Sequence, residues 1–201
     1  MQKIDLLDLG SGNLGSLISG LNKINVKINL CSDIHDFKNN KLIIPGVGSF
    51  AKFMEKIKIK KIDKYLDEFI KQNNSILGIC IGFQILFEKS DEDKLTNGLN
   101  YFKGNLKKIK TNLPVPHVGW NSCKINKNSR LFENINDKSD FYFTHSFVVN
   151  NYQKNDIITY TDYDDIFPSS VSRNNIYGVQ FHPEKSQLTG LKILKNFSDN
   201  C

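Results

Sequence analysis

Short apolar runs alternate with segments of helical apolar spacing through the first 89 residues, and this alternation constrains the fold more than any other feature. The apolar runs predict buried strands at 3–9, 26–30, 41–45 and 75–79. Elsewhere, apolar residues recur every three or four positions, which predicts helices at 14–24, at about 50–73 (one or two) and at 82–89. Short polar turns join these segments, so we expect a parallel sheet covered by helices.

The second half of the chain has a different pattern. Several short strand-like segments lie between about residue 100 and residue 181, and a last helical segment follows at 189–197. This pattern predicts a mixed or antiparallel extension of the sheet. With no internal repeat and no linker, residues 1–201 are interpreted as a single domain. The expected fold class is therefore α/β, with a mixed, mostly parallel open sheet flanked by helices and a β-rich second half.

The net charge of +6 comes largely from lysine and raises the question of an acidic partner. The basic segment 56–64 fits a nucleic-acid patch, but it also fits a solvated helix face over Ile57, Ile59 and Ile62. We favour the second interpretation, because runs of lysine on an amphipathic helix are commonly just solvated. No nucleic-acid partner is expected.

Compartment and cofactors are constrained by what the sequence lacks. The amino terminus has no signal-peptide pattern, and no apolar run approaches the ~20 residues of a membrane span. The four cysteines are irregularly spaced, without a C-x-x-C pair, so neither a zinc site nor a redox pair is indicated. We expect a cytoplasmic protein with reduced thiols, no membrane association, no metal and no organic cofactor.

Cys80 follows a buried strand directly, precedes a predicted helix, and has a glycine two residues away on each side, Gly78 and Gly82. Ligands of open α/β sheets bind at such strand ends. The first turn of a helix offers free N–H groups that stabilise a thiolate, the reactive form of cysteine. The glycines fit a cramped turn of the nucleophile-elbow type. Taken alone, however, the motif equally fits a small buried hydrophobic residue.

His182 and Glu184 follow a second apolar strand and are separated by one proline, Pro183. Residues two apart in an extended segment point the same way, and the proline restricts this segment to extended geometry. The carboxylate is therefore expected to hold the imidazole in one tautomer, as the base beside a cysteine nucleophile requires. A surface His beside a surface Glu is the alternative, which the presence of Cys80 at another strand end makes weak.

The segment 43–50, IIPGVGSF, also ends a strand. Its two glycines allow backbone N–H groups to face a ligand and to form an oxyanion hole for a tetrahedral intermediate. A plain turn is the alternative, and the segment alone does not exclude it.

Together, GICIGFQILFE (78–88), PGVGSF (45–50) and GVQFHPEKS (178–186) resemble the class I, triad-type glutamine amidotransferase family. Four further stretches narrow the resemblance to the glutaminase subunits of imidazole glycerol phosphate synthases: DLGSGNLGS (8–16), PHVGWN (116–121), FYFTHSF (141–147) and EKSQLTGLKILKNF (184–197). The resemblance spans nearly the whole chain and implies a flavodoxin-like open sheet.

The resemblance implies a catalytic triad. Cys80 would attack the side-chain amide of glutamine as a thiolate, His182 would carry protons, and Glu184 would orient His182. It also implies an oxyanion hole formed by backbone N–H groups of Val47, Gly48 and Ile81. The remaining implied role is glutamine binding, which it assigns to Gly46, Gln84, Glu92, His145 and Ser146.

The resemblance further implies that ammonia passes to a synthase partner in a heterodimer. That partner would be a TIM-barrel cyclase making imidazole glycerol phosphate and an aminoimidazole carboxamide ribotide in histidine biosynthesis. The implied contact residues are Asn13, Trp120 and Lys185, although Trp120 also fits a core position. His117 fits either an interface or a structural loop. His145 also fits a satisfied core histidine beside the glutamine pocket.

Two other functions remain open at this point. One is a paralogous subunit that supplies ammonia to an amidino-sugar synthase in surface polysaccharide biosynthesis, because the glutaminase half would be the same. The other is a catalytically silent scaffold that regulates a synthase, against which the intact Cys80, His182 and Glu184 argue.

Overall fold

The structure, a computed structural model, describes residues 2–10 and 14–201. The described helices are α1 Leu14–Lys23, α2 Phe50–Ile59, α3 Ile62–Lys71, α4 Ile81–Gln84 and α5 Gln187–Asn200. The strands in the same part of the chain are β1 Lys3–Leu7, β2 Lys27–Cys31, β3 Lys41–Ile44, β4 Ser75–Ile79, β5 Lys89–Ser90, β6 Thr96–Asn97, β7 Asn105–Lys108, β8 His117–Ile125, β9 Ser139–His145, β10 Phe147–Asn150, β11 Ile157–Asp162, β12 Ile166–Arg173 and β13 Ile176–Val179.

Nine of these strands form one sheet in the order β2-β1-β3-β4-β13-β12-β11-β8-β9. The pairs from β2 to β13 are parallel, and the pairs from β13 to β9 are antiparallel. A smaller sheet has the order β10-β7-β5-β6. The predicted α/β fold, with a mixed sheet flanked by helices and a β-rich second half, is confirmed.

The central strands are buried on both faces because alternate residues enter two different apolar clusters. Ile43 and Leu77 belong to one cluster, whereas their neighbours Leu42, Ile44 and Ile76 belong to the other. Strands covered on both faces are read as continuous apolar runs, which is why β3 and β4 could be recognised from the sequence.

Helices α2 and α3 carry the basic segment 56–64, and its lysines lie outside the apolar core. Ile57 and Ile62 are buried as expected. Ile59 was expected to lie beneath the lysines, but it is 73% exposed. It lies two residues after buried Ile57, about 200° further round α2, so its side chain points away from the core.

The prediction of a helix over residues 82–89 is wrong about its length. Helix α4 ends at Gln84, and β5 begins at Lys89. The intervening carbonyl groups are taken by a segment distant in sequence: the N–H of Leu99 donates to Ile85 O, and that of Tyr101 donates to Leu86 O. Tertiary hydrogen bonds thus replace the helical ones that the local spacing favours.

Strands β3, β4 and β13 lie side by side and parallel, so their carboxyl ends meet at one edge of the sheet. The loop 46–48, Cys80 and His182 follow these three strands in turn. Ligands bind at this edge in open α/β sheets. Among the helices described, none combines the length and the apolar character needed to cross a membrane.

Candidate active site

Cys80 occupies the turn between β4 and α4 with φ 56° and ψ −107°, a backbone conformation that L-residues rarely adopt. Its N–H donates to Val179 O over 2.9 Å, and its own carbonyl accepts from Gln84 N over 3.0 Å. The strand before it and the helix after it therefore hold the strained residue from both sides. Strain of this kind, held by the surrounding structure, is concentrated at functional sites.

The glycines on either side of Cys80 are required by close backbone contacts. A Cβ atom at Gly78 would lie 2.3 Å from the carbonyl oxygen of Gly82, and one at Gly82 would lie 1.8 Å from that of Ile44. Both distances are far below van der Waals contact. These glycines bring α4 directly against β3 and β4 and so form the sharp turn that presents Cys80.

His182 and Glu184 form a buried pair. Nδ1 of His182 lies 2.7 Å from Oε1 of Glu184, and their side chains are 4% and 8% exposed. The segment after His182 was expected to be extended, but Pro183 begins a short helical turn, Pro183–Lys185, and this turn carries the carboxylate back to the imidazole. Within the described part of the chain, Nε2 of His182 has no hydrogen-bond partner. The pairing through Nδ1 leaves Nε2 as the nitrogen that can exchange a proton with a substrate.

The electrostatic environment favours the protonated form of His182. Burial alone would lower the pKa of His182, but its electrostatic interactions with Cys80 and Glu184 outweigh burial and raise the pKa to about 10. The Cys80 thiol thus interacts with His182, although the geometry at Nε2 falls short of a full hydrogen bond. A thiol beside an imidazolium is the arrangement that yields a thiolate nucleophile.

Two further groups contact Cys80. Its Sγ lies 3.9 Å from the carbonyl oxygen of Thr144, to which the thiol donates, and Nε2 of Gln180 donates to Sγ over 3.9 Å. Gln180 is fully buried and directly follows β13. Sequence reasoning missed Gln180, although its position two residues before His182 in an extended segment predicts the same orientation.

Cys80 opens into a pocket of about 350 Å³, hereafter the Cys80 pocket, within the size range of small-molecule sites. Its walls include Gly48, Gln84, Glu92, His145 and Ser146. Larger clefts of about 460 to 820 Å³ lie elsewhere on the described surface, but none of them has both a cysteine and a histidine in its lining. The chemistry therefore points to the smaller pocket.

Glu92 places a carboxylate in the wall of the Cys80 pocket. Its Oε2 accepts from Phe50 N over 2.7 Å at the start of α2. Partial burial raises the pKa of Glu92, against the lowering effect of that hydrogen bond. Ser49 donates to the neighbouring Asp93, which ties the two loops together. A half-buried carboxylate in such a wall suits an ammonium group.

The Gln84 amide is oriented by its neighbours. Its Nε2 donates to the carbonyl oxygen of Phe147 over 3.3 Å and to Oε1 of Gln180 over 3.0 Å. Because a carbonyl oxygen can only accept, the assignment of Nε2 is unambiguous. The protein contacts engage the nitrogen of Gln84 and leave its oxygen as the group for a ligand in the Cys80 pocket.

Val47, Gly48 and Ile81 also line the Cys80 pocket. Gly48 has φ 113°, a conformation that favours glycine, and a Cβ there would meet no atom within 4 Å. Ile81 is the first residue of α4, where a backbone N–H has no intrahelical acceptor. Gly46 lies behind the pocket wall rather than in it, since its Cβ would lie 2.5 Å from Cγ2 of Ile81.

Two of the three residues expected at a partner interface, Trp120 on β8 and Lys185 after β13, lie on an exposed face beside Tyr142. Trp120 is 49% exposed, and its ring meets that of Tyr142 at 6.1 Å in an edge-on arrangement. Nζ of Lys185 lies 5.5 Å from the centre of the same tyrosine ring. Val118, 55% exposed, lies two residues before Trp120 on the same strand face. Asn13 lies outside the described residues.

His117 and His145 are buried and lie opposite each other in the β8–β9 register. Their rings are joined by a hydrogen bond that the sequence did not predict. Over the described ranges, no group of three or more His, Cys, Asp or Glu residues is arranged to hold a metal ion.

Comparison with protein families matches residues 5–201 to the family model described as glutamine amidotransferase class-I. Among relatives, the protein named imidazole glycerol phosphate synthase subunit HisH of Pyrococcus furiosus is 42% identical over 199 residues, 98% of each chain. The protein of the same name from Methanosarcina barkeri is 41% identical over 205 residues, which cover both chains completely. Subunit HisH 1 of Campylobacter jejuni is 38% identical and covers 97% of this chain and 98% of its own.

Solved structures share the fold. PurLQS from Thermotoga maritima superposes with a TM-score of 0.75 at 18% identity, covering 98% of both chains. A second structure, described as a glutamine amidotransferase, superposes with a TM-score of 0.76 at 14% identity and covers 96% of each chain.

Proposed function

The chain belongs to the class-I glutamine amidotransferase family, and from this premise we propose that it is the glutaminase subunit of an imidazole glycerol phosphate synthase. It hydrolyses glutamine to glutamate and ammonia and delivers the ammonia to a synthase subunit in histidine biosynthesis. Full-length relatives at 38–42% identity carry that name. The observation that carries the chemistry is the meeting of Cys80 with the His182–Glu184 pair at the ends of neighbouring strands.

In the first step, the Cys80 thiolate attacks the side-chain carbonyl carbon of glutamine. An S–C bond forms, and the carbonyl electron pair moves to oxygen. The resulting oxyanion accepts hydrogen bonds from the N–H of Ile81 and from an N–H of the loop 46–48, whose residues Val47 and Gly48 line the same pocket. Because Gly48 takes either sign of φ, its peptide can reorient at little cost.

The tetrahedral intermediate then collapses with loss of ammonia. Imidazolium His182 donates the Nε2 proton to the departing nitrogen, and the C–N bond breaks to leave a thioester on Cys80. Neutral His182 next removes a proton from water, which attacks the thioester and releases glutamate and the thiolate. Glu184 holds Nδ1 throughout and stabilises the imidazolium.

Glutamine is recognised through its α-amino and carboxylate groups. Glu92 and the oxygen of Gln84 receive the ammonium, while the segment 144–146, which includes His145 and Ser146, lies beside the carboxylate. Both nitrogens of His145 are engaged by protein groups, so the hydroxyl groups of Thr144 and Ser146 are the side-chain donors that this segment has left for the carboxylate. Gly46 supports the pocket from behind by allowing close packing of Ile81.

The synthase partner is a TIM-barrel cyclase subunit, forming a heterodimer with this chain. Its docking surface is the exposed face of Val118, Trp120 and Lys185. An exposed aromatic residue flanked by a cation is characteristic of interface hot spots. Free thiols, three of them buried, suit a reducing compartment such as the cytoplasm.

A partner-dependent assay tests this function. Glutamate release is measured for the purified chain alone, then with the cyclase subunit and its nucleotide ligand. We expect a poor glutaminase that is strongly accelerated when both are added, because docking shifts the loop 46–48 to its competent state. Full activity of the isolated chain, or activation only by a sugar amidotransferase, would overturn the assignment.

A further inference from the structure

A chain of hydrogen bonds connects strand β8 to the Cys80 pocket through two buried histidines. Nδ1 of His117 lies 3.1 Å from Nε2 of His145, and Nδ1 of His145 lies 3.0 Å from the carbonyl oxygen of Phe147. At the other end, Nδ2 of Asn121 lies 3.4 Å from Nε2 of His117. The carbonyl of Phe147 also accepts from Gln84. All four ring nitrogens are thus engaged by neighbouring groups.

The proton positions at the Phe147 end follow from the chemistry of the carbonyl group. Its oxygen only accepts, so Nδ1 of His145 must carry the proton. In a neutral ring Nε2 of His145 is then a bare acceptor, and it takes the proton on Nδ1 of His117. Neutral His117 is left with Nε2 as an acceptor.

The contacts of Asn121, at the other end of the chain of hydrogen bonds, independently require the same proton positions on the two histidine rings. The backbone N–H of Ser122 donates to Oδ1 of Asn121 over 2.8 Å, and Nδ2 donates to Asp162 O over 2.8 Å. These two contacts fix the orientation of the amide, so a donor faces Nε2 of His117. Both ends therefore demand neutral rings protonated at Nδ1. An extra proton on either ring would place two N–H groups face to face.

Packing keeps the first ring in place. His117 is 2% exposed and lies between the ring of Tyr163, whose centre is 3.9 Å away, and that of Phe143 at 4.9 Å. His145 is 6% exposed and lies directly opposite on β9. Buried rings with every polar atom satisfied have a single low-energy orientation.

We propose that His117 and His145 are positioning residues of the glutaminase site, forming a one-way hydrogen-bond relay that fixes the Phe147 carbonyl and through it the Gln84 amide. The relay rests on the proposed function, because Gln84 is the group that receives the glutamine ammonium. Its effect is on substrate binding. Loss of the relay leaves the Phe147 carbonyl less firmly held, so that Gln180 becomes the one firmly placed partner of the Gln84 amide.

The proton order is tested by nitrogen NMR of the full chain labelled at histidine, at neutral pH. His35→Ala, a change at a side chain that is 89% exposed, assigns one of the four histidines. We expect His117 and His145 both to be protonated at Nδ1 only, with a scalar coupling between Nδ1 of His117 and Nε2 of His145. Protonation of either ring at Nε2, or a charged ring, overturns the relay. This measurement does not depend on any enzyme activity.

The positioning role is tested in the complex with the synthase partner. His117→Phe keeps the aromatic stack and removes the donor, whereas His117→Asn restores a donor near the Nδ1 position. We expect His117→Phe to raise the KM for glutamine about tenfold, the equivalent of one net hydrogen bond, with kcat within about threefold. His117→Asn should recover part of that loss, and ammonia-dependent synthesis should be unchanged in both.

An unchanged KM in His117→Phe overturns the positioning role, as does an equal loss of ammonia-dependent activity. If His117→Phe does not fold, the KM of His117→Asn for glutamine tests the positioning role, and the NMR measurement tests the proton positions. If the unsubstituted complex shows no glutamine turnover while the NMR result is as expected, the proposed function fails and the relay geometry stands.

Discussion

His182 is held by Glu184, two residues later, through a contact of 2.7 Å between Nδ1 and Oε1 in a buried environment. The contact assigns the two residues unequal roles, because His182 exchanges protons and Glu184 only orients it. We predict that His182→Ala lowers kcat for glutamine by at least about a thousandfold. Glu184→Gln should lower it less, because its amide oxygen still accepts from Nδ1.

Steady-state glutamate release by the complex checks both variants, with ammonia-dependent synthesis as the control for intact assembly. A His182→Ala enzyme with unchanged glutamine turnover would require a different base. His145 is not available for that role, because its nitrogens are bonded to Phe147 and His117.

Gly82 is predicted to be intolerant of any side chain. Gly82→Ala would place a Cβ 1.8 Å from Ile44 O, a backbone atom that cannot move aside without displacing β3. We expect a loss of at least about 3 kcal/mol in the free energy of unfolding, together with loss of glutaminase activity. Gly20→Ala is the matched control, because its Cβ meets only side-chain atoms at 3.4 Å or more within α1. Urea unfolding of both variants measures the difference, and equal stabilities would contradict the close-contact account.

The stability of the fold should fall as pH decreases from about 6.5 towards 4. Burial lowers the pKa of His117 to about 4 and that of His145 to about 3. In this window the unfolded chain takes up protons at both residues and the folded chain does not, so acidification favours unfolding. His182, whose pKa is raised, is protonated in both states below 6.5 and adds no slope there.

Removing one of these groups should flatten that dependence. His145→Gln removes one of the two groups that take up a proton on unfolding. The slope of the free energy of unfolding against pH should therefore fall by up to about 1.4 kcal/mol per pH unit. Urea unfolding at several pH values between 4 and 7 provides the comparison with the unsubstituted chain. Parallel slopes for the two proteins would mean that His145 titrates normally in the fold.

Local patterns in the sequence predicted that Cys80 and the His182–Glu184 pair follow buried strands, and the family resemblance added their roles as a triad. The sequence predicted the His182–Glu184 pair from extended geometry, but the helical turn Pro183–Lys185 is what brings the two side chains together. The parallel order of β3, β4 and β13 brings their carboxyl ends, and with them Cys80, to one edge of the sheet. The predicted positions depended only on neighbouring residues and on the general behaviour of parallel sheets.

What escaped prediction depends on contacts between distant segments. The length of α4 is set by bonds from residues 98–102 to the carbonyls after it. The His117–His145 pair exists because an antiparallel register joins residues 28 positions apart. The apolar pattern of a strand predicts which face is buried, but it does not predict which residue of a distant strand lies opposite, so the relay became visible only in the structure.

The exposed face of β8 should contribute directly to docking of the synthase. Trp120→Ala removes the large exposed ring that contacts Tyr142, and we expect the dissociation constant of the complex to rise about 10- to 30-fold. Ile59→Ala is the control, because Ile59 is an even more exposed apolar residue at the end of α2, away from the strand ends that carry the site. Calorimetric titration with the cyclase subunit measures both. Equal affinities for the two variants would place the interface elsewhere.

Cys80→Ala tests the central claim most directly, with Cys123→Ala as the matched change of a buried thiol remote from the pocket. Product formation by the complex is measured with glutamine and, separately, with an ammonium salt as nitrogen source. The account predicts that Cys80→Ala abolishes the glutamine-dependent reaction, by several orders of magnitude, and retains the ammonium-dependent one. Cys123→Ala should retain both. Wild-type glutamine turnover in Cys80→Ala would contradict the assignment of the nucleophile and the mechanism built on it.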